Sequence, residues 1–197
     1  MNKSFINLEN IDLIKQNKKI IHNFSINISF GQKINIFGKN GTGKTSILKL
    51  ISGISTQSSG DITVDINTTI NNDLFYIGHK YGLKNELSVS DNIRYSLDFH
   101  QRDIKDKGII DELNYYGIED KFDSKVKYLS HGQKKITSLV QLSLLKIKIW
   151  VLDEPFTGLD QNIIDSFIKK IELHVAQGGA VIVTSHDQKD GFTNIEL

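Results

Sequence analysis

The run Gly38-Lys39-Asn40-Gly41-Thr42-Gly43-Lys44-Thr45 constrains this chain more than any other segment. It fits the pattern G-x-x-x-x-G-K-[ST], and its surroundings are those the pattern requires: KINIF before it alternates like a strand, and SILKLISG after it has helical spacing. Glycines allow successive backbone amides to turn inward around phosphate oxygens, and the following helix N-terminus adds positive potential. Lys44 is then placed to reach the terminal phosphates of a nucleoside triphosphate, Thr45 to ligate magnesium, and Ser46 to continue the phosphate-binding edge. A chain built on this loop is expected to be an α/β protein of the P-loop NTPase class.

A second element supports the same chemistry. Ile149-Trp150-Val151-Leu152 reads as a buried strand and ends in two adjacent carboxylates, Asp153 and Glu154. Such a strand end can deliver Asp153 to magnesium beside the phosphate loop, with Glu154, one residue further, orienting or deprotonating the attacking water. Taken alone, Asp-Glu at a strand end is more often a solvated turn; its pairing with the phosphate loop reverses that preference. A third element, Leu129-Ser130-His131-Gly132-Gln133, precedes a helix-forming stretch, and Ser130 has the position of an N-cap. By itself that is fully explained as capping.

The rest of the chain fits one compact domain of 197 residues. Apolar runs at Phe5 to Leu8, Ser25 to Phe30, Lys33 to Phe37 and Asp61 to Val64 predict a strand-rich first third, with antiparallel character toward the N-terminal end. From Asp91 to about Gly117 the spacing of Ile93, Leu97, Ile109, Ile110 and Leu113 becomes helical, and a helical subdomain is expected from about Lys84 to Leu129. A helix to about Lys146, the IWVL strand, a helix from about Gln161 and the apolar strand AVIVTS then alternate as a parallel sheet demands. Lys and Arg number 24 against 23 Asp and Glu. That balance leaves no global basic field to grip nucleic acid, so no nucleic-acid partner is expected. The chain has no cysteine, which excludes disulfides and thiolate chemistry, and no apolar run approaches the roughly 20 residues that span a bilayer. A cytoplasmic home with at most a peripheral membrane role is the expectation.

In order and spacing, these three elements resemble the ATP-binding cassette (ABC) family of transporter ATPases, and the resemblance covers essentially the whole chain. It implies an ABC-type nucleotide-binding domain over 1–197 that hydrolyses ATP with magnesium as a homodimer. The family's signature segment, here Ser130, Gly132 and Gln133 of one copy, would contact, in trans, the γ-phosphate held by the other. It further implies that Thr157-Gly158-Leu159-Asp160 is the D-loop, with Asp160 near the attacking water, and that His186, after AVIVTS, is the switch histidine touching both the γ-phosphate and Glu154. The catalytic set is then Glu154, His186 and Lys44, with Thr45 and Asp153 holding magnesium. His22, His100 and His174 are read as structural or surface residues.

Two positions depart from the family pattern. His131 replaces the first of two glycines after Ser130, where backbone freedom is expected, and His79 stands where most members carry a glutamine that couples the nucleotide site to the transporter. No aromatic residue for stacking on adenine occurs around Leu13 to Gln16, so the choice between ATP and GTP stays open. The Gly78-His79 loop, the Gly82-Leu83-Lys84 that follows, and LSVSDNIRYSLDF are similar to a subfamily of small haem-exporter ATPases in cytochrome c biogenesis. That similarity implies an integral-membrane permease partner, a place on the cytoplasmic face of the bacterial inner membrane, and haem or a haem-chaperone complex downstream. Where that subfamily has Gln and Pro, this chain has Lys80 and Tyr81. Another small exporter ATPase, or a soluble cassette ATPase acting on nucleic acid or ribosomes, is the alternative. Against the latter, only 84 residues separate Thr45 from Ser130, too few for the long coiled coil of repair types.

Overall fold

The computed structural model describes residues 4–65 and 73–197. They divide into two compact units, the first made of Met1–Tyr76, Lys148–Pro155 and Leu173–Leu197, the second of Ile77–Ile147 and Phe156–Glu172.

The first unit contains two sheets. β1 (Ser4–Lys15) and β2 (Lys18–Ser29) form an antiparallel hairpin, and β4 (Ser59–Val64) pairs with the other edge of β1, giving the order β2-β1-β4. Gln16 and Asn17 close the hairpin with φ of 49° and 58°. Two consecutive left-handed residues make the tight turn whose twist matches the flanking strands. Phe5, Leu8, Ile11, Leu13, Ile21, Ile26 and Ile28 point into one apolar core, while the polar residues between them face water.

The second sheet has the order β5-β6-β7-β3-β8, with β3 (Lys33–Phe37), β5 (Leu74–Ile77), β6 (Ile149–Leu152), β7 (Ala180–Ser185) and β8 (Thr193–Glu196). β7 runs parallel to both β6 and β3, Leu152 opposite Val183 and Phe37 opposite Ser185. Every residue of β6 and β7 is buried, as expected for parallel strands covered on both faces. Because β3, β6 and β7 run in register, the chain leaves all three at the same edge of the sheet, the edge from which ligand-binding loops emerge in such folds. α1 (Lys44–Ile51) follows β3 and buries Ile47, Leu48, Leu50 and Ile51.

The second unit is helical: α2 (Val89–Phe99), α3 (Asp106–Tyr115), α4 (His131–Leu145), and α5 (Gln161–Ala176) as far as Glu172. Two short 3-10 turns lie at Glu119–Lys121 and Val126–Tyr128. Val89, Ile93, Leu97, Ile109, Leu113, Val126, Leu139, Val140 and Leu142 are buried. Ser88 caps α2, accepting from the Asp91 amide at 3.0 Å. Asn92 ties the loop before α2 to the helix. Its side chain accepts from the Lys84 amide at 2.7 Å and donates to the carbonyls of Lys84 and Ser88, while its own carbonyl accepts from Gln141 of α4 at 3.1 Å. The expected helical stretch from Lys84 to Leu129 falls within this unit, which extends beyond it on both sides. Among the described residues, no helix is long and apolar enough to cross a membrane.

Candidate active site

β3 ends at Phe37 and delivers the loop Gly38–Gly43 to the N-terminus of α1. Gly38, Gly41 and Gly43 adopt φ of 152°, 84° and 107°. At Gly38 a side chain is further excluded, since a Cβ would come within 2.5 Å of the Leu197 carbonyl oxygen. Lys44 is only 6 % exposed and curls back over the loop, its Nζ donating to the carbonyls of Gly38 at 2.7 Å and Lys39 at 3.1 Å. Thr42 steadies the loop by donating from Oγ1 to the Lys39 carbonyl at 3.0 Å. The first turn of α1 carries no side-chain cap and no acidic residue. The positive potential of its amide end is therefore not offset by an acidic side chain, which suits an anion.

The carboxylates at the end of β6 join this loop through hydroxyls. Thr45 Oγ1 donates to one oxygen of Asp153 at 2.8 Å, and Thr184 Oγ1, from the adjacent β7, donates to the other at 2.8 Å. The Thr184 hydroxyl also accepts from the Glu154 amide at 2.9 Å. Glu154 has φ of 49°, left-handed for a non-glycine residue. Its Oε1 lies 3.5 Å from Nε2 of His186, immediately beyond β7. Asp153 is 4 % exposed. Burial, reinforced by the Asp153 charge, pushes the Tyr76 phenol up to about 12. A hydroxyl and a buried carboxylate in hydrogen-bond contact form a donor set suited to a hard cation such as magnesium. Among the described residues no group of three His, Asp or Glu could cage a metal, so such a cation would take its remaining ligands from water and phosphate oxygens.

The His186 loop is held from beneath by a polar network. Asn35, fully buried in β3, donates to Asn194 Oδ1 at 2.8 Å and to the Asp187 carbonyl at 3.0 Å, and accepts from Ser185 Oγ at 2.8 Å. The single Ser185 hydroxyl hydrogen is shared between Asn35 Oδ1 and the Asp187 carbonyl.

In the helical unit, Ser130 and Gln133 form a capping box at the start of α4. The Gln133 amide donates to Ser130 Oγ at 3.2 Å and the Ser130 amide to Gln133 Oε1 at 2.9 Å. His131 opens the helix and is not among the positive-φ residues, so the glycine freedom expected at this position is not needed. Gly132 faces the Gly158 carbonyl oxygen, which a Cβ there would meet at an ordinary contact distance of 3.4 Å. Lys135, buried on α4, donates to the Thr157 carbonyl. The signature segment and Thr157–Asp160 are therefore held side by side. Asp160 is exposed at the start of α5, its carbonyl accepting from the amides of Ile163 and Ile164 at 3.0 Å. His79 is exposed in the turn after β5. Tyr81, with φ of 55°, places its hydroxyl 3.1 Å from Nε2 of His131 and 3.2 Å from its Nδ1.

The candidates thus fall into two sets. Gly38 to Ser46, Asp153, Glu154 and His186 belong to the first unit; His79, Ser130, Gly132, Gln133 and Asp160 belong to the second. Sequence reasoning missed Thr184, Asn35, Tyr76 and Tyr81. For Thr184 and Asn35 the signal was present, a polar residue inside an otherwise apolar buried strand. His22, His100 and His174 have ordinary partners: Asp12 at 3.1 Å, the Phe99 ring, and the stacked ring of Trp150.

The family model described as ABC transporter matches residues 21–157. A cytochrome c biogenesis ATP-binding export protein CcmA from Vibrio cholerae is 32% identical, the match covering 92% of this chain and 90% of that protein. Its counterpart from Methylococcus capsulatus is 34% identical over 92% of this chain and 91% of its own length. Among solved structures, a putative ABC transporter ATP-binding protein from Pyrococcus furiosus superposes with a TM-score of 0.84 at 23% identity, covering 98% of this chain and 96% of that one. A dimeric ATP-binding cassette in a post-hydrolysis state, bound to ADP and Pi, gives 0.80 at 20% identity over 92% and 88%.

Proposed function

The chain belongs to the ABC transporter family of ATP-hydrolysing subunits, and from that premise we propose that it drives the haem-export complex of cytochrome c biogenesis. Hydrolysis rests on the hydrogen-bonded series Thr45–Asp153–Thr184–Glu154, which joins the phosphate loop to the end of the strand that carries the two carboxylates. The export assignment rests on the CcmA-named relatives at 30–34% identity over most of their length, together with the Gly78-His79 loop.

The amides of Gly38–Thr45 and the Lys44 ammonium bind the triphosphate and neutralise the charge that develops on the γ-phosphoryl group. Thr45 and Asp153 hold magnesium, which supplies further neutralisation when bound. Glu154 orients the attacking water and accepts its proton, with His186 holding the Glu154 carboxylate in place. The N-terminal end of α4 in a second copy, through Ser130, Gly132 and Gln133, closes over the γ-phosphate, and Asp160 packs across the same interface. His131 adds a side chain at that edge without straining the helix. Two copies then work beneath an integral-membrane permease, on the cytoplasmic face of the inner membrane, with the segment around His79 transmitting the change.

Deleting the chain from its host is expected to abolish covalently haem-stained c-type cytochromes, and wild-type protein to restore them where Glu154→Gln does not. Affinity purification from solubilised membranes is expected to recover an integral-membrane partner. Normal c-type haem staining in the deletion strain would remove haem export and leave an ABC ATPase with another cargo.

A further inference from the structure

The nucleotide loop has a basic neighbour that the motif does not include. β1 ends at Lys15, and from there its Nζ donates to Ser46 Oγ at 3.0 Å. Ser46 is the third residue of α1, directly after Lys44 and Thr45, and its hydroxyl is turned inward on a residue 8 % exposed. Lys15 thus brings a second ammonium to a helix end where Lys44, the amides of the loop and the helix dipole already concentrate positive potential, and where the first turn carries no acid.

Among the described residues, Lys15 is not paired with any carboxylate. Asp12, the nearest acid along β1, is already engaged by Lys19 at 2.9 Å, by His22, by the Asn23 amide and by Ser59. An ammonium with three donors, resting on one neutral hydroxyl, gains most from an anion. The hairpin end that carries it, Leu13 to Gln16, offers no aromatic ring to a nucleobase.

Resting on the phosphate-loop assignment above, we propose that Lys15 is a nucleotide contact that grips a phosphate oxygen from the hairpin side, so that charge does the work of base stacking. The site then accepts adenine and guanine nucleotides with similar affinity.

The test is equilibrium binding of ATP and GTP, without turnover, to the full chain and to Lys15→Met, Lys15→Arg and Lys44→Ala. Lys15 is exposed, and matched urea midpoints verify that each variant folds. Wild-type protein is expected to bind ATP and GTP within about threefold of each other. Lys15→Met is expected to weaken both by about tenfold and to flatten the salt dependence, while Lys15→Arg keeps most of the affinity. Binding by Lys15→Met within twofold of wild type, or a wild-type preference for one base above about fiftyfold, overturns the inference. If Lys44→Ala loses affinity while Lys15→Met does not, only the role of Lys15 falls. Wild-type affinity in both variants removes the phosphate-loop reading as well.

Discussion

Glu154 holds a backbone conformation that costs a non-glycine residue roughly 1–3 kcal/mol and persists only where neighbours impose it. The neighbour here is Thr184, whose one hydroxyl both donates to Asp153 and accepts from the Glu154 amide. One side chain thereby fixes both an oxygen of Asp153 and the main chain from which the Glu154 side chain projects. Thr184→Val preserves shape but leaves the Glu154 amide and one oxygen of Asp153 without that partner, in a site where the residue is fully buried. The expected loss is about 2 kcal/mol, read as a lower urea midpoint, with a reduced kcat because Asp153 and Glu154 both lose that support. An unchanged midpoint and an unchanged kcat would show that Thr184 positions nothing. Glu154→Gln differs in kind: its backbone and the Thr184 contact survive, so ATP binding is retained while turnover falls at least 100-fold, the usual contribution of a general base.

Helix α4 begins where its sequence says it should, at a Ser130-x-x-Gln133 box, and the buried strands β6 and β7 were legible because uninterrupted apolar runs have little other use. The first two strands were not legible at full length. β1 and β2 each span 12 residues where short runs were expected, because register shifts between Leu8 and Ile11, and again up to Ile14, break the period-two alternation. Lys18, Lys19, His22 and Asn23 look like loop by type but are exposed positions within β2. The role of Tyr81 was also hidden, since it depends on His131 of a helix about 50 residues downstream, and that of Asn92 because its side chain reaches back four to eight residues to the main chain of Lys84 and Ser88, a reach no periodicity signals. Asn92 makes a prediction at this scale. Its side chain satisfies three main-chain groups between Lys84 and Ser88, so Asn92→Leu is expected to cost about 2–3 kcal/mol. Faster proteolysis within residues 77–88 than elsewhere would report the released loop, whereas cleavage and urea midpoint both matching wild type would deny Asn92 that role.

For the whole molecule, the decisive question is whether the two sets of site residues act within one chain or between two. The phosphate-loop set and the signature set lie in different compact units, and the proposed function has each loop completed by the signature of a second copy. Such a two-fold arrangement has a consequence that no single-chain site shares. Lys44→Ala homodimers have no working loop, and Ser130→Arg homodimers no working signature, so each is inactive alone. A mixed dimer unites the intact loop of the Ser130→Arg chain with the intact signature of the Lys44→Ala chain, while its other site carries both defects. At equal mixing half of the dimers are mixed and each regains one site of two, so about a quarter of the wild-type sites return. Steady-state ATPase assays of the mixture against each variant alone read this directly. Activity no greater than the sum of the two separate variants, with mixed dimers demonstrated by mass spectrometry, would place the signature and the loop in the same chain or require both sites to fire together. Recovery near one quarter would assign Ser130 and Lys44 to opposite sides of one shared site.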